Sequence, residues 1–166
     1  KGVQQMLWSV KWANPLDILV MDMPPGTGDT HLTVCQQVII DSAVIVTTPQ
    51  LVALSGTEKG LRLLETMKVP IMGIVENMQW IECNHCHQSV QLFNNKTSQL
   101  ASKHNLSVIG SVPMVAEEGA SMDDGVPSTA KAQVPTYYKQ IVDHIIADPQ
   151  FSHSDTKTTV DRSNTQ

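Results

Sequence analysis

Residues 18–29 read ILVMDMPPGTGD: four apolar positions, an aspartate, then two prolines and two glycines before a second aspartate. The unbroken Ile18-Leu19-Val20 run is the pattern of a strand buried on both faces, and it predicts a buried strand over Asp17–Asp22. Gly26 and Gly28 let the backbone approach an anion and expose N–H groups just before a helix, whose dipole also favours negative charge. The plainer reading is a strand-to-helix turn with proline for stiffness and glycine for positive φ. The complete run DMPPGTGD is more particular than that reading requires.

Working outward, the same alternation recurs. Apolar groups at Val3, Met6, Leu7 and Val10 have helical spacing and stop near Asn14-Pro15. Asp29 or Thr30 is placed to cap a helix running to about Val38. Strands are expected at Ser42–Thr48, Pro70–Asn77 and Ser107–Pro113, and helices at 51–67, 97–105 and about 135–147. Leu51, Leu54, Leu61, Leu64 and Met67 mark the apolar face of the longest helix. Residues 79–95, which include Cys83-Asn84-His85-Cys86-His87, break the rhythm and read as irregular. The tail from Asp148 is rich in Ser, Thr and Asp and reads as disordered. Val/Ile-rich strands alternating with helices predict an α/β fold, a parallel sheet with helices on both faces. In such sheets ligands lie outside the carboxyl ends of the strands, which gathers Asp22, Pro24–Thr30, Thr47–Gln50 and Asn77 on one rim.

Composition bounds the rest. The chain has 166 residues, 41% hydrophobic and 16% charged, enough for one domain with a sizeable core. A net charge of −5 argues against a general nucleic-acid binder, whose affinity comes from clustered Lys and Arg. No apolar run approaches the roughly 20 residues needed to span a bilayer, and the first residues show no secretory core. A chain beginning at Lys1 rather than Met reads as a fragment or a processed product. Three cysteines do not suggest a disulfide framework and favour a reducing compartment.

Two constellations carry chemistry. An aspartate closing a buried apolar strand, as Asp22 does, is where P-loop nucleotidases hold Mg²⁺. A dinucleotide site competes and fails: the third glycine is replaced by His31, and no acid follows the next strand to hold a ribose. The chain contains no GxxxxGK[ST] and no Gly-Lys pair, so nothing in it wraps a β- or γ-phosphate. Asn77, closing a strand on the rim, is able to read an adenine edge with its amide or to serve simply as a turn residue.

The second is Cys83-x-x-Cys86, two thiolates on one short turn, half of a four-coordinate site. Cys35 reads as a small core residue. His85 and His87 are awkwardly close to complete a zinc site, and a redox dithiol would normally open a helix. A symmetric dimer, each subunit giving one pair, is the simpler solution.

Taken in order, DILVMDMPPGTGDTHLTV (17–34), AVIVTTPQLVAL (43–54), KGLRLLETMKVPIMGIVENM (59–78), ECNHC (82–86), IGSVPM (109–114) and DDGVP (123–127) resemble the Mrp/Nbp-type iron–sulfur cluster carrier ATPases. These are MinD/ParA-like P-loop proteins with a deviant Walker A loop, and the chain looks most like the mitochondrial Ind-type branch that serves respiratory complex I assembly. The resemblance covers residues 1–147, with 148–166 as a tail.

It implies that Asp22 is the Walker B aspartate supporting Mg²⁺. It implies that Pro24, Pro25, Gly26, Thr27, Gly28 and Asp29 form the turn that senses the γ-phosphate of ATP. Asn77 would contact adenine, Pro113 would lie in the loop beside the base, and Cys83 and Cys86 would hold a bridging 4Fe–4S cluster with a second subunit. A homodimer or a paralogue heterodimer, delivery to apo iron–sulfur proteins and a mitochondrial matrix location follow from the same resemblance; the cytoplasmic relatives share the motifs. A non-catalytic zinc- or cluster-binding module that has lost nucleotide hydrolysis is the alternative.

Two departures stand out. Leu51 replaces the family's usual aspartate, and the surface at Ser55 and Gly56 also differs. The P-loop half of the family domain has no counterpart in the sequence, so residues 1–166 alone are expected neither to hydrolyse ATP nor to fold well.

Overall fold

A computed structural model describes residues 2–83, 85–86, 88–115, 123–126 and 134–149. In chain order the elements are α1 (Gly2–Trp8), α2 (Asp29–Gln37), β1 (Ala43–Thr47), α3 (Leu51–Thr66), β2 (Ile71–Glu82), β3 (Ser89–Gln91), α4 (Thr97–Lys103), β4 (Val108–Met114) and α5 (Thr136–Ala147). The expected tail from Asp148 lies almost entirely outside the described residues.

β2 is the axis of the sheet. Along one edge it pairs in parallel with β1, from Ala43 opposite Ile71 to Thr47 opposite Glu76. Along the other it pairs in parallel with β4, from Ile74 opposite Val108 to Asn77 opposite Val112. Beyond Asn77 the strand continues for five residues past its expected end. There Trp80–Glu82 pair antiparallel with β3, so the region read as irregular contains a hairpin.

Helices cover both faces, as the alternation predicted. Side chains alternate along β2, and Ile74 joins Leu54 and Leu61 of α3 and Leu100 and Ala101 of α4 in one apolar cluster. Val75 points the other way, into a cluster with Ile109 and Val112 of β4 and Ile141 of α5. α3 stops where its capping chemistry says it should. Lys68 takes a left-handed φ of 57°, its N–H bonds to the Glu65 carbonyl, the Val69 N–H bonds to the Leu64 carbonyl, and Pro70 cannot continue a helix.

Three expectations need correction. Asp17–Asp22 is not a strand: it has no ladder partner among the described residues, and Val20 is 84% exposed. An extended segment becomes a strand only when a neighbour offers N–H and C=O groups. Among the described residues none does, and the edge of β1 facing away from β2 is likewise unpaired. The helix expected over 3–12 ends at Trp8. The cap of α2 is Gly28, with no side-chain bond, rather than Asp29 or Thr30, because Asp29 already has helical conformation.

Candidate metal centre and nucleotide rim

The cysteine pair sits at the tip of the β2–β3 hairpin. The Cys83 N–H donates to the Gln88 carbonyl at 3.0 Å, closing the turn immediately beyond the ladder. Cys83 is half-buried and Cys86 is exposed. Backbone N–H groups of Cys86 and then His85 converge on the Cys83 sulfur, and the Cys86 thiol adds a third contact. Together they stabilise the thiolate and hold the Cys83 pKa below the ordinary thiol range.

No group of three or more His, Cys, Asp or Glu side chains able to hold a metal occurs among the described residues. Two thiols on one turn are chemically suited to half of a four-coordinate site. His85 is exposed, and Asn84 and His87 lie outside the described residues. Cys35 is half-buried on α2, where desolvation raises its pKa, the opposite of what a ligand thiol needs.

The rim residues fall into two groups. Thr47 ends β1 opposite Glu76, which puts Asn77 one step past the end of β1 and opposite Val112. Pro113, the next residue on β4, is buried, so Asn77 and Pro113 come to neighbouring strand positions. The Met78 N–H donates to Asn77 Oδ1 at 3.0 Å, and Met78 adopts a φ of 58°, a kink that re-aims β2 toward the hairpin.

The other group is the 22–29 turn. Asp22, Pro24, Pro25, Gly26, Thr27, Gly28 and Asp29 are all exposed, and Gly26 has a φ of 96° that disfavours any side chain. Among the described residues no hydrogen bond or ion pair ties this turn to β1 or β2. Leu51, at the first turn of α3, is 67% exposed and lines a shallow apolar groove with Val52 and Leu100.

One group is not marked by any motif: Glu76, fully buried on β2, with Asn95 and Thr97 beside it. An acid inside the apolar run PIMGIVEN, in phase with Ile74, was the available signal.

Comparison with known proteins agrees with this architecture. A family model described as "NUBPL iron-transfer P-loop NTPase" matches residues 1–147. "Iron-sulfur cluster transfer protein NUBPL" of Dictyostelium discoideum is 37% identical over 158 residues, 93% of this chain and 49% of its own length. "Iron-sulfur cluster carrier protein" of Pyrococcus abyssi is 38% identical over 136 residues, 81% of this chain and 46% of its own. A solved nucleotide-binding protein of Archaeoglobus fulgidus, in complex with ADP, superposes with a TM-score of 0.59 at 36% identity, covering 70% of this chain and 47% of that one. The chain thus spans about half the length of the relatives it matches. With the parallel β1–β2–β4 sheet, the helices on both faces and the paired cysteines in place, the match over residues 1–147 makes this chain a member of the NUBPL-type iron-transfer P-loop NTPase family, within the Mrp/Nbp-type iron–sulfur cluster carriers.

Proposed function

We propose that this chain is part of an ATP-dependent iron–sulfur cluster carrier. Cys83 and Cys86 of two subunits, in a homodimer or a paralogue heterodimer, share a bridging 4Fe–4S cluster that is then passed to apo iron–sulfur proteins, respiratory complex I among them. The observation that carries this reading is the hairpin tip: a two-thiol turn, Cys86 exposed and Cys83 half-buried, with backbone N–H groups aimed at Cys83 and no third ligand among the described residues. A half-site of this kind is completed by its own copy across a twofold axis.

On the nucleotide side, Asp22 supports Mg²⁺ and Pro24–Asp29 respond to the γ-phosphate, while Asn77 and Pro113 flank the adenine. The chain spans about half the length of the relatives it matches, and the P-loop with the strand that carries it would lie in the other half. That strand would cover the unpaired edge of β1 and give Ile18–Val20 the neighbour they lack. Residues 1–147 form the family portion and 148–166 a tail. The setting is the mitochondrial matrix; no described helix is long and apolar enough to cross a membrane.

Anaerobic iron–sulfur reconstitution tests the reading, comparing the wild type with Cys83→Ala/Cys86→Ala for iron, acid-labile sulfide and mass. About four irons and four sulfides per dimer, lost in the double variant, is the expected result. Zinc without sulfide would replace the carrier with a zinc-binding module. Iron bound independently of both cysteines would remove the site altogether.

A further inference from the structure

Glu76 occupies a position where a carboxylate is costly. It is 0% exposed, in the central strand, between Thr47 on β1 and Ser111 on β4. Its Oε2 accepts a hydrogen bond from Asn95 Nδ2 at 3.2 Å, and its Oε1 is buried with no hydrogen-bond partner among the described residues. Burying a polar group with half its bonding capacity unmet is unfavourable, and an apolar side chain in phase with Ile74 would pack there without that penalty. Such a residue points to a use other than packing.

The partner identifies the use. Asn95 lies in the short connection between β3 and α4, the return path of the cysteine hairpin. Its amide works at both ends: Nδ2 donates to Glu76, and Oδ1 accepts the Thr97 N–H at 3.1 Å, at the start of α4. The segment leaving the hairpin is thereby fastened to the sheet centre on one side and to α4 on the other. The ladder between β2 and β3 spans only three residue pairs, Trp80–Gln91, Ile81–Val90 and Glu82–Ser89. A ladder that short is marginal by itself.

We propose that Glu76 is a positioning residue, a buried latch that holds the return segment of the cysteine hairpin through Asn95 and so fixes Cys83 and Cys86 relative to the sheet. This rests on the reading that the two cysteines hold the cluster. Glu76 also immediately precedes Asn77, which faces the opposite side of the sheet.

The test is hydrogen exchange, read peptide by peptide, on the complete polypeptide the gene encodes. The variants are Asn95→Ala, Glu76→Gln and E76Q/N95D. Asn95 is exposed, so its truncation opens no cavity in the core, and what it removes is the bond to Glu76 that is under test. The double exchange swaps donor and acceptor between the two positions and restores the bond. Asn95→Ala should speed exchange over residues 83–92 by about ten-fold, the equivalent of one hydrogen bond, with α5 and β1 unchanged. Cluster loss to a chelator should accelerate in parallel, and E76Q/N95D should return both to wild-type values.

Unchanged exchange over 83–92 in Asn95→Ala would overturn the latch, as would an equal rise across β1 and α5 or a failure of E76Q/N95D to rescue. A wild type that binds no cysteine-dependent cluster would remove the carrier reading instead, and the exchange data would still decide the latch.

Discussion

The close approach of α5 to Gly110 makes a sharp test of the packing. At Gly110 on β4, an added Cβ would lie 2.3 Å from Ile141 Cγ1 and 2.9 Å from Ile141 Cδ1 of α5. Ordinary carbon–carbon contact begins near 3.5 Å, so Gly110→Ala drives more than an ångström of overlap into one side chain. Overpacking of this kind costs about 1–3 kcal/mol. Ile141→Ala alone leaves a cavity among Val75, Ile109 and Val112 and costs about 2–5 kcal/mol.

In the double variant the clashing atoms are gone and the new methyl fills part of the space. The combined loss should then fall short of the sum by about 1 kcal/mol or more, within the range measured for residues in contact.

Gly73 on β2 supplies the contrast. Its added Cβ would meet Ile109 Cγ2 at 2.4 Å but also the Ser107 carbonyl oxygen at 2.8 Å. A backbone atom cannot be trimmed, so Gly73→Ala should resist rescue by Ile109→Ala. Urea denaturation of the complete polypeptide, with midpoints compared at constant slope, measures all six variants. Additivity at the Gly110–Ile141 pair within about 0.5 kcal/mol would refute the argument.

Two further outcomes are expected. Because the N–H groups of Cys86 and His85 stabilise the Cys83 thiolate while burial raises Cys35, iodoacetamide at neutral pH should alkylate Cys83 well before Cys35, as read by peptide mass spectrometry; equal rates would remove the N–H···S argument. Glu58 accepts hydrogen bonds from Lys103 and Arg62 at 2.7 Å, which hold its carboxyl at about 2, below the ordinary 4.5. A depressed carboxylate pKa contributes stability that is present above pH 4.5 and lost as pH falls toward 2, so Glu58→Gln should flatten that limb of the thermal-midpoint profile. Lys103 and Arg62 are exposed, so the effect is small and shrinks in high salt; an unchanged acid limb at low salt would count against it.

Much of the fold was legible because its signals are local. AVIVT, PIMGIVEN and SVIGSVP announce strands through consecutive β-branched residues, and the spacing of Leu54 and Leu61 announces the buried face of α3. The cysteine pair was legible for the same reason: two thiols on one turn are a property of four consecutive residues. Its setting was not. Trp80–Glu82 look irregular until Ser89–Gln91 are placed opposite them, and that pairing depends on a turn whose N–H groups face sulfur. Asn77 and Pro113 lie far apart in the chain and become neighbours only through the register of β2 with β4.

By itself, the sequence determined the succession α2, β1, α3, β2, α4, β4 and α5, the parallel character of β1, β2 and β4, and the two-thiol turn at Cys83 and Cys86. Periodicity, β-branching and ligand spacing are written in neighbouring residues. Only the tertiary structure decided which apolar run becomes a strand. ILV at 18–20 is as strand-like as AVIV at 43–46, yet only the latter has a neighbour to bond. It also decided that Glu76, an acid by sequence, is a buried contact for the hairpin. Backbone pairing and burial are set by residues distant in the chain, and no local pattern carries them.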